Sequence, residues 1–236
     1  MFERWGKPQR LRMDNGVPWG GRGDLPTDFA LWLSGVDVEP VYNRPCCPQE
    51  NGCVERSQGT GKRWGEPSTC KNPAELQERL DDFDRIQREV YPVRGVPGRL
   101  SRTQLWPALA HSNRKYKAHD KRGDSSFSME RVYAYLSLLV VVRRLATNGA
   151  ISILGRNISV GLLGGREHVW VQFTADETEG VWWVISDEKG CELCRRPARE
   201  VEQSRVLAMT VTERRPERRA DAQPDARTIV RQLPAR

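Results

Sequence analysis

The chain has 236 residues, of which 38% are hydrophobic and 29% are charged. This composition is sufficient for one or two small folded cores. The longest apolar run covers only residues 136–142, far fewer than the roughly 20 residues that cross a bilayer as a helix. No basic start followed by an apolar stretch opens the chain. The sequence therefore argues against a membrane-spanning or secreted protein and predicts a cytoplasmic one.

Four regions differ in their residue pattern. Residues 1–92 alternate helix signals with loops, residues 93–128 are basic, and residues 129–212 consist mostly of strand-like runs. Residues 213–236 are rich in arginine, proline, alanine and aspartate and have almost no large apolar side chains. Such a segment cannot bury enough surface to offset the entropy lost on ordering. The last region is therefore predicted to be a disordered tail.

The first region contains acids beside turn residues. Asp14 opens the triplet Asp-Asn-Gly at residues 14–16, and Glu55 lies in the stretch PQENGCVER at residues 48–56. A helical segment is predicted between them, around residues 28–33. Acids in this setting suit a hard cation, because Mg²⁺ takes oxygen ligands from one or two carboxylates and keeps other positions for water and phosphate. Asp-Asn-Gly alone, however, is also a common hairpin turn.

Residues 73–90 have the pattern of an amphipathic helix with a buried face. Apolar residues recur there at helical spacing, with acids and arginines between them. They are Leu76, Leu80, Phe83, Ile86 and Val90. Asn72 is a suitable N-cap, Pro73 favours the first helical position, and Pro92 prevents continuation. We expect this helix to contribute its apolar face to a core.

The segment 93–128 is predicted to be a basic linker that contacts DNA. Between residues 94 and 122 it has eight basic residues and one acid. The candidate DNA-binding residues here are Arg114, Lys115 and Lys117, and Trp106 lies in the same segment. Basic side chains can neutralise phosphates, while aromatic rings can stack on bases. A solvated linker fits the same pattern equally well.

Residues 129–212 are predicted to form a small β-barrel or sandwich that binds DNA. Short β-branched or aromatic runs occupy residues 151–153, 158–160, 169–173 and 181–185. Turn residues separate these runs at 155–157, 164–166 and 179–180. Trp170, Trp182 and Trp183 are expected in the core of this domain rather than on a stacking surface.

The six cysteines are expected to be reduced in a cytoplasmic chain. Cys191 and Cys194 have the spacing of a zinc knuckle, but no second pair of cysteines or histidines completes four ligands. Zinc is therefore not favoured. The remaining cysteines are expected to pack as small apolar side chains.

Together, Asp14-Asn15-Gly16 and the stretch at residues 48–56 resemble the catalytic core shared by insertion-sequence transposases and retroviral integrases, the DDE family. In that family a D-N-G motif ends one strand, and a P-Q-x-N-G-x-x-E-R motif opens the helix that carries the last catalytic acid. The resemblance covers about the first ninety residues and continues more faintly into the β-rich part. It implies an α/β fold: a partial RNase H-like domain lacking its first strands, a small C-terminal β-barrel and a disordered basic tail.

The resemblance also implies a function. The chain would be the C-terminal part of a transposase of a mobile element, acting in DNA transposition by metal-dependent phosphodiester strand transfer. Asp14 and Glu55 would be the catalytic residues and would hold Mg²⁺ or Mn²⁺, with one ion activating the attacking water or 3′-hydroxyl and another stabilising the leaving oxygen. The implied partners are DNA and either a second copy or a full-length transposase, in the bacterial cytoplasm at the nucleoid.

The spacing of the acids leaves a choice between Glu50 and Glu55. The retroviral-type pattern of 35 intervening residues leads from Asp14 to Glu50, whereas the motif leads to Glu55, with 40 residues between. We prefer Glu55, because the motif fixes the face of the helix, and residues 17–26, rich in glycine and proline, can form a longer loop. Glu50 is then expected to be an exposed surface acid.

Polar and basic residues close to these acids in sequence are predicted to contact DNA phosphates. They are Asn15, Gln49, Asn51, Arg56, Lys62 and Arg63. For Lys62 and Arg63 a solvated helix face is an equally consistent interpretation.

The family uses a third acid, an Asp on the first strand of the RNase H-like sheet, which lies upstream of the D-N-G motif. Among acids only Glu3 precedes Asp14 here, and the usual helix-turn-helix also has no counterpart. We therefore expect this chain to be inactive alone. Two alternatives stay open: an upstream product supplies the missing Asp by frameshift or association, or the chain is a non-catalytic DNA-binding module that regulates or competes with full-length transposase.

Overall fold

A computed structural model of the chain describes residues 1–16, 19–20, 24–118, 126–161, 167–176, 178 and 180–208. These residues form two compact units. The first contains Met1–Arg12 and Asn43–Ala118, and the second contains the described residues of Met13–Tyr42 and His119–Arg236. Helices and strands are mixed, which confirms the α/β class at this level. The boundaries at residues 92, 128 and 212 stay predictions, and the tail at 213–236 lies outside the described residues.

The helices are α1 (Phe2–Trp5), α2 (Asp28–Gly35), α3 (Gly52–Gly65), α4 (Pro73–Glu89), α5 (Arg102–Leu105), α6 (Met129–Ser137) and α7 (Gln203–Ala208). The strands are β1 (Arg10–Met13), β2 (Glu39–Tyr42), β3 (Val140–Arg144), β4 (Ala150–Ile153), β5 (Arg156–Ser159), β6 (His168–Asp176), β7 (Gly180–Ser186) and β8 (Glu192–Pro197). Short 3-10 helices occupy Pro48–Asn51, Pro67–Thr69, Pro97–Arg99 and Pro107–Leu109. In the described part of the chain, no helix has the length and apolar character needed to cross a membrane.

In the first unit, α3 and α4 pack together at glycines. A Cβ on Gly65 would lie 3.2 Å from Leu76 and 3.3 Å from Leu80, so the two helices approach closely there. The predicted helix α4 is confirmed, with the Asn72 side chain accepting from the Glu75 amide at 2.9 Å. Phe83 is buried, whereas Leu76, Leu80 and Ile86 are half-buried. Val90 is 62% exposed, so the buried face of α4 ends before it.

The basic segment packs against the rest of the first unit as far as residue 118. The Arg102 guanidinium donates to the Gln87 carbonyl at the end of α4, at 2.5 Å. The Lys7 amide donates to the Arg114 carbonyl at 2.7 Å, which holds the segment to the N-terminal residues. Residues 119–125 lie outside the described residues.

The second unit is built on an antiparallel sheet of four strands in the order β3-β6-β7-β8. The four runs predicted as strands are confirmed as β4, β5, β6 and β7, whereas the sequence did not indicate β3 and β8. Alternate residues of the sheet face a core that also contains side chains from α2, α6 and α7. Its largest fully buried side chains include Trp183, Phe173, Leu31, Leu136 and Ile185.

Strand alternation separates the tryptophans that were predicted to share the core. Trp183 is 1% exposed and its ring lies 5.4 Å from that of Phe173 in an edge-to-face contact. Trp182 and Trp170 lie on the other face of the sheet, because successive side chains of a strand point to opposite sides. Both are half-buried and do not belong to the core cluster.

In the described part of the chain, the β-rich domain does not form the closed barrel that was predicted. Strands β4 and β5 form a separate hairpin, and its links to the sheet edges include arginine side chains. Arg143 Nε on β3 donates to the Ser152 carbonyl at 2.8 Å, and Arg196 Nε on β8 donates to the Ser159 carbonyl at 2.7 Å. The hairpin thus contacts both edge strands without continuing the backbone ladder of the sheet.

A carboxylate is buried beside the core of the second unit. Glu200 is only 6% exposed, and its Oε2 accepts from Trp183 Nε1 at 3.1 Å. Buried polar groups are stable when they are hydrogen-bonded to each other. This bond therefore fixes the segment between β8 and α7 to the centre of the sheet.

Replacing Glu200 by leucine is expected to lower the free energy of unfolding by about 1–3 kcal/mol, because the Trp183 N–H would stay buried without its acceptor. Glu200→Gln keeps an oxygen at this position and should cost less. Urea unfolding followed by circular dichroism measures both. Equal stability of the leucine variant and the native chain would show that the bond contributes nothing.

Burial on α6 raises the pKa of Tyr135 to about 12, with smaller contributions from Tyr42 and Glu39. Because the folded state favours the neutral phenol, this group stabilises the fold fully below its unfolded pKa of about 10. That stability is lost as the pH rises toward 12. An ultraviolet titration should show a tyrosine step near pH 12, and Tyr135→Phe should remove that step. The absence of a late step in a chain that is still folded would contradict the expectation.

Candidate metal and nucleic acid site

Asp14 directly follows strand β1 and begins a tight turn. It is exposed, and its Oδ1 accepts from the Asn15 amide at 2.7 Å. The Gly20 amide donates to the Gly16 carbonyl at 2.8 Å. A Cβ on Gly20 would lie 2.4–2.5 Å from backbone atoms of Asn15, so only glycine fits at this close approach. Asn15, a predicted DNA contact, is exposed in the same turn.

Glu55 lies in the first turn of α3, which begins inside the motif at Gly52. Its side chain is exposed, and within the described residues it has no hydrogen bond or ion pair. A carboxylate in this state has all its oxygen lone pairs available for a ligand.

Glu50, the alternative acid, is bound within the protein. Its Oε1 accepts from Arg44 Nε at 2.6 Å and its Oε2 accepts from the Arg44 amide at 3.0 Å. Only 15% of its side chain is exposed, so the expectation of an exposed surface acid is wrong. The hydrogen bond from the Arg44 amide, followed by that from its guanidinium, lowers the pKa of Glu50 below the usual range. Glu50 thus closes the loop that leads into the 3-10 helix at Pro48–Asn51.

Of the other polar residues of the motif, Asn51 is hydrogen-bonded within the protein and Gln49 is exposed. Asn51 is half-buried, and its Oδ1 accepts a short hydrogen bond from Nδ2 of the buried Asn43. Gln49 is exposed. Asn51 therefore helps to fix the start of α3, whereas Gln49 is accessible to a ligand.

Three basic side chains lie on the exposed surface of α3. Arg56, Lys62 and Arg63 are all exposed, and none pairs with an acid in the part of the chain that the structure describes. Arg63 has one long hydrogen bond, from Nη2 to Thr60 Oγ1 at 3.4 Å. These side chains can therefore bind phosphate without first breaking an ion pair.

The basic residues predicted to bind DNA in the segment 93–128 have different environments. Arg114 is half-buried, and its guanidinium forms a short hydrogen bond with the Pro8 carbonyl. Lys115 and Lys117 are exposed. Arg114 thus contributes a hydrogen bond that stabilises the first unit.

The two candidate metal ligands belong to different units, Asp14 to the second and Glu55 to the first. Among the described residues, no group of three or more histidine, cysteine, aspartate or glutamate side chains is arranged to hold a metal ion.

The six cysteines are all free thiols. Cys46 and Cys53 are exposed, so the expectation that they pack as apolar side chains is wrong for these two. Cys194 lies on β8, with its Sγ 3.7 Å from the Val160 carbonyl, and burial raises the pKa of its thiol.

No protein-family model matches the chain. The resemblance to the DDE family thus rests on the two motifs.

The Arg44 amide is expected to report the titration of Glu50 in NMR spectra recorded between about pH 6 and about pH 2. Because the pKa is lowered in the folded state, the contact stabilises the loop above the unfolded pKa. That stability is lost as the pH falls through the lower, folded value. The amide shift should have its midpoint below the ordinary glutamate pKa of about 4.3.

Glu50→Gln should abolish this titration at Arg44, whereas Glu55→Gln should leave it unchanged. A midpoint at the ordinary value in the native chain would show that Arg44 does not hold the carboxylate in solution.

Proposed function

We propose that the chain is the C-terminal part of a DDE-type transposase or integrase, which acts in the cytoplasm on DNA. In this proposal Asp14 and Glu55 are two acids of a centre for metal-dependent phosphodiester strand transfer. The observation that carries the proposal is the contrast between the two glutamates of the motif. Glu50 is bound to Arg44, whereas Glu55 is exposed and has no partner among the described residues.

The two acids are chemically suited to a hard cation. Each carboxylate is exposed, and the described contacts of Asp14 are local to its own turn. Carboxylate oxygens of this kind bind Mg²⁺ or Mn²⁺, which would lower the pKa of the attacking water or 3′-hydroxyl and stabilise the leaving oxygen. The acids themselves would hold the ions and orient the scissile phosphate.

The exposed basic residues of α3 support a role in DNA binding. Arg56, Lys62 and Arg63 follow Glu55 on the same helix and have no acidic partner among the described residues. Phosphate contacts of this kind position a duplex without reading its sequence. Gln49 and Lys115 are further exposed candidates, whereas Asn51 and Arg114 contribute mainly to the fold of the first unit.

The resemblance requires a third acid, which the proposal assigns to residues outside these 236, on the same or on another polypeptide. An RNase H-like arrangement of the catalytic part is likewise a component of the proposal. The alternative is a non-catalytic DNA-binding module that competes with a full-length transposase.

Cleavage of the polypeptide backbone by bound Fe²⁺ tests the metal site of the protein without requiring DNA strand transfer. Fe²⁺ occupies Mg²⁺ sites, and with ascorbate and peroxide it cuts the chain close to its ligands. The full chain should be cut near residue 14 and near residue 55, and excess Mg²⁺ should suppress both cuts. If both acids hold the same ion, as the proposal requires, Asp14→Asn and Glu55→Gln should each weaken both cuts.

Glu78→Ala is the matched control, since Glu78 is exposed on α4 and lies outside the motifs. It should leave the cuts unchanged. A chain that binds duplex DNA but is not cut at either position would overturn the catalytic proposal and support the DNA-binding module.

A further inference from the structure

Strand β8 contains a β-bulge that changes which of its residues share a face. Cys194 lies opposite Ile185 of β7, and the next pair toward the hairpin turn joins Ser186 to Glu192. One extra residue of β8 therefore lies between the two pairs. Because Ile185 and Ser186 are neighbours and point to opposite faces, their partners on β8 do so too. Residues three apart on β8 then share a face, and Arg195 Nε accordingly donates to Glu192 Oε1 at 2.7 Å.

Cys191 lies at the hairpin end of β8, on the same face as Cys194. The Asp187 amide donates to the Cys191 carbonyl at 3.0 Å, which places these two residues opposite each other. The Cys191 amide in turn donates to Asp187 Oδ1 at 2.9 Å, so the backbone of this cysteine is fixed at two points. Asp187 follows Ile185 by two residues and therefore shares its face. Their partners Cys191 and Cys194 share that face as well.

The spacing of the two cysteines suits a disulfide. Two positions along a strand separate Cα atoms by roughly 6.6 Å, and disulfides join Cα atoms that are about 4.4–6.8 Å apart. Both thiols are free. A structural metal ion would need four ligands, and the described residues include no group of three or more histidine, cysteine or acidic side chains that could hold one. The pair is therefore better suited to thiol–disulfide chemistry than to zinc.

The two thiols have different environments, as the two steps of disulfide exchange require. Cys191 is exposed, so a small disulfide can reach it. Cys194 is half-buried against the core, with its Sγ 3.7 Å from the Val160 carbonyl, and burial raises the pKa of its thiol. Attack on a disulfide needs both a thiolate and access. Cys191 therefore reacts first with an external partner, and Cys194 reacts with the sulfur beside it.

We propose that Cys191 and Cys194 form a reversible disulfide by exchange with a small-molecule disulfide. The Cys191 thiolate attacks one sulfur of this oxidant, whose S–S bond breaks and releases one half as a thiolate. The Cys194 thiolate then attacks Cys191 Sγ in the mixed disulfide and releases the other half. The cysteines lose two electrons, which the oxidant gains, and their two protons pass to the released thiolates. This inference does not rest on the proposed function, since both cysteines lie outside the two motifs.

Oxidation also changes a contact between the sheet and the hairpin of β4 and β5. The Cys194 thiol donates to the carbonyl of Val160, which directly follows the hairpin, and this thiol hydrogen is lost when the disulfide forms. Arg196 Nε continues to donate to the Ser159 carbonyl at 2.7 Å. The disulfide therefore weakens one link of the hairpin to β8 and leaves the other in place.

Mass spectrometry of one tryptic peptide tests the disulfide directly. Trypsin cuts after Lys189 and Arg195, so the peptide 190–195 contains both cysteines and no others. The full chain is equilibrated with mixtures of oxidised and reduced glutathione, and free thiols are alkylated before digestion. As the oxidised share rises, the peptide should lose both alkylation sites together and become lighter by two hydrogen atoms. The transition should depend on the square of the reduced glutathione concentration, because two glutathione thiols are released.

Serine variants separate the roles of the two thiols. In Cys194→Ser, Cys191 should accumulate as a mixed disulfide with glutathione, because the thiol that resolves this intermediate is absent. In Cys191→Ser, Cys194 should stay reduced under the same conditions. Cys53→Ser is the matched control, since Cys53 is exposed in the first unit, and it should leave the transition unchanged.

Two outcomes would overturn the inference. One is that the native peptide keeps two reactive thiols, or only accumulates glutathione at Cys191, at every ratio of oxidised to reduced glutathione. The other is a disulfide between the Cys191 residues of two chains, which would appear as a dimer in non-reducing electrophoresis. Neither outcome bears on DNA binding, so the inference and the proposed function fail separately.

Discussion

The packing of α3 against α4 buries one side of α3 and leaves the rest of its surface to solvent. Gly61 and Gly65 face α4, where added Cβ atoms would meet Phe83 at 3.5 Å and Leu76 at 3.2 Å. A Cβ at Gly65 would require Leu76 and Leu80 to move by a few tenths of an ångström, whereas one at Gly61 would make an ordinary contact with Phe83. The rest of the α3 surface is left to solvent, and Glu55 lies on it. The glycines of this helix therefore have a structural role that a count of apolar residues misses.

The two units differ in the interactions that stabilise them. In the first unit, Phe2 and Phe83 are the only buried large apolar side chains, while Trp64, Tyr91 and Trp106 are more than 40% exposed. This unit depends on caps, ion pairs and contacts of arginine with aromatic rings, each of which contributes only about 1 kcal/mol or less at exposed sites. The second unit has a continuous apolar core. A ligand that binds the first unit can therefore raise its free energy of unfolding by a larger fraction than it would in the second unit.

Local patterns predicted local structure well, and long-range arrangements poorly. The helix α4 and four strands follow from hydrophobic periodicity, which depends on neighbouring residues alone. The turn predicted at residues 155–157 is formed instead around Leu154 and Gly155, which both have positive φ. The position of the hairpin beside the sheet could not be predicted, because its links include arginine side chains, and Arg196 bonds to a carbonyl 37 residues away in sequence. The salt bridge between Arg44 and Glu50 could not be predicted either, because hydrophobic periodicity gives no information on which charged side chains pair.

The net positive charge of the chain is larger than the positive charge that its surface leaves open to an anionic ligand. The net charge is +7, yet many arginines are used inside the fold. Arg143 joins β3 to Asp24 and the hairpin, and Arg205 donates to the Leu154 carbonyl at 2.8 Å. A guanidinium committed to carbonyls and carboxylates cannot release counterions from a phosphate without losing those bonds. The charge open to a phosphate ligand therefore comes from exposed cations such as the three on α3, which have no acidic partner among the described residues and lie on the helix that carries Glu55.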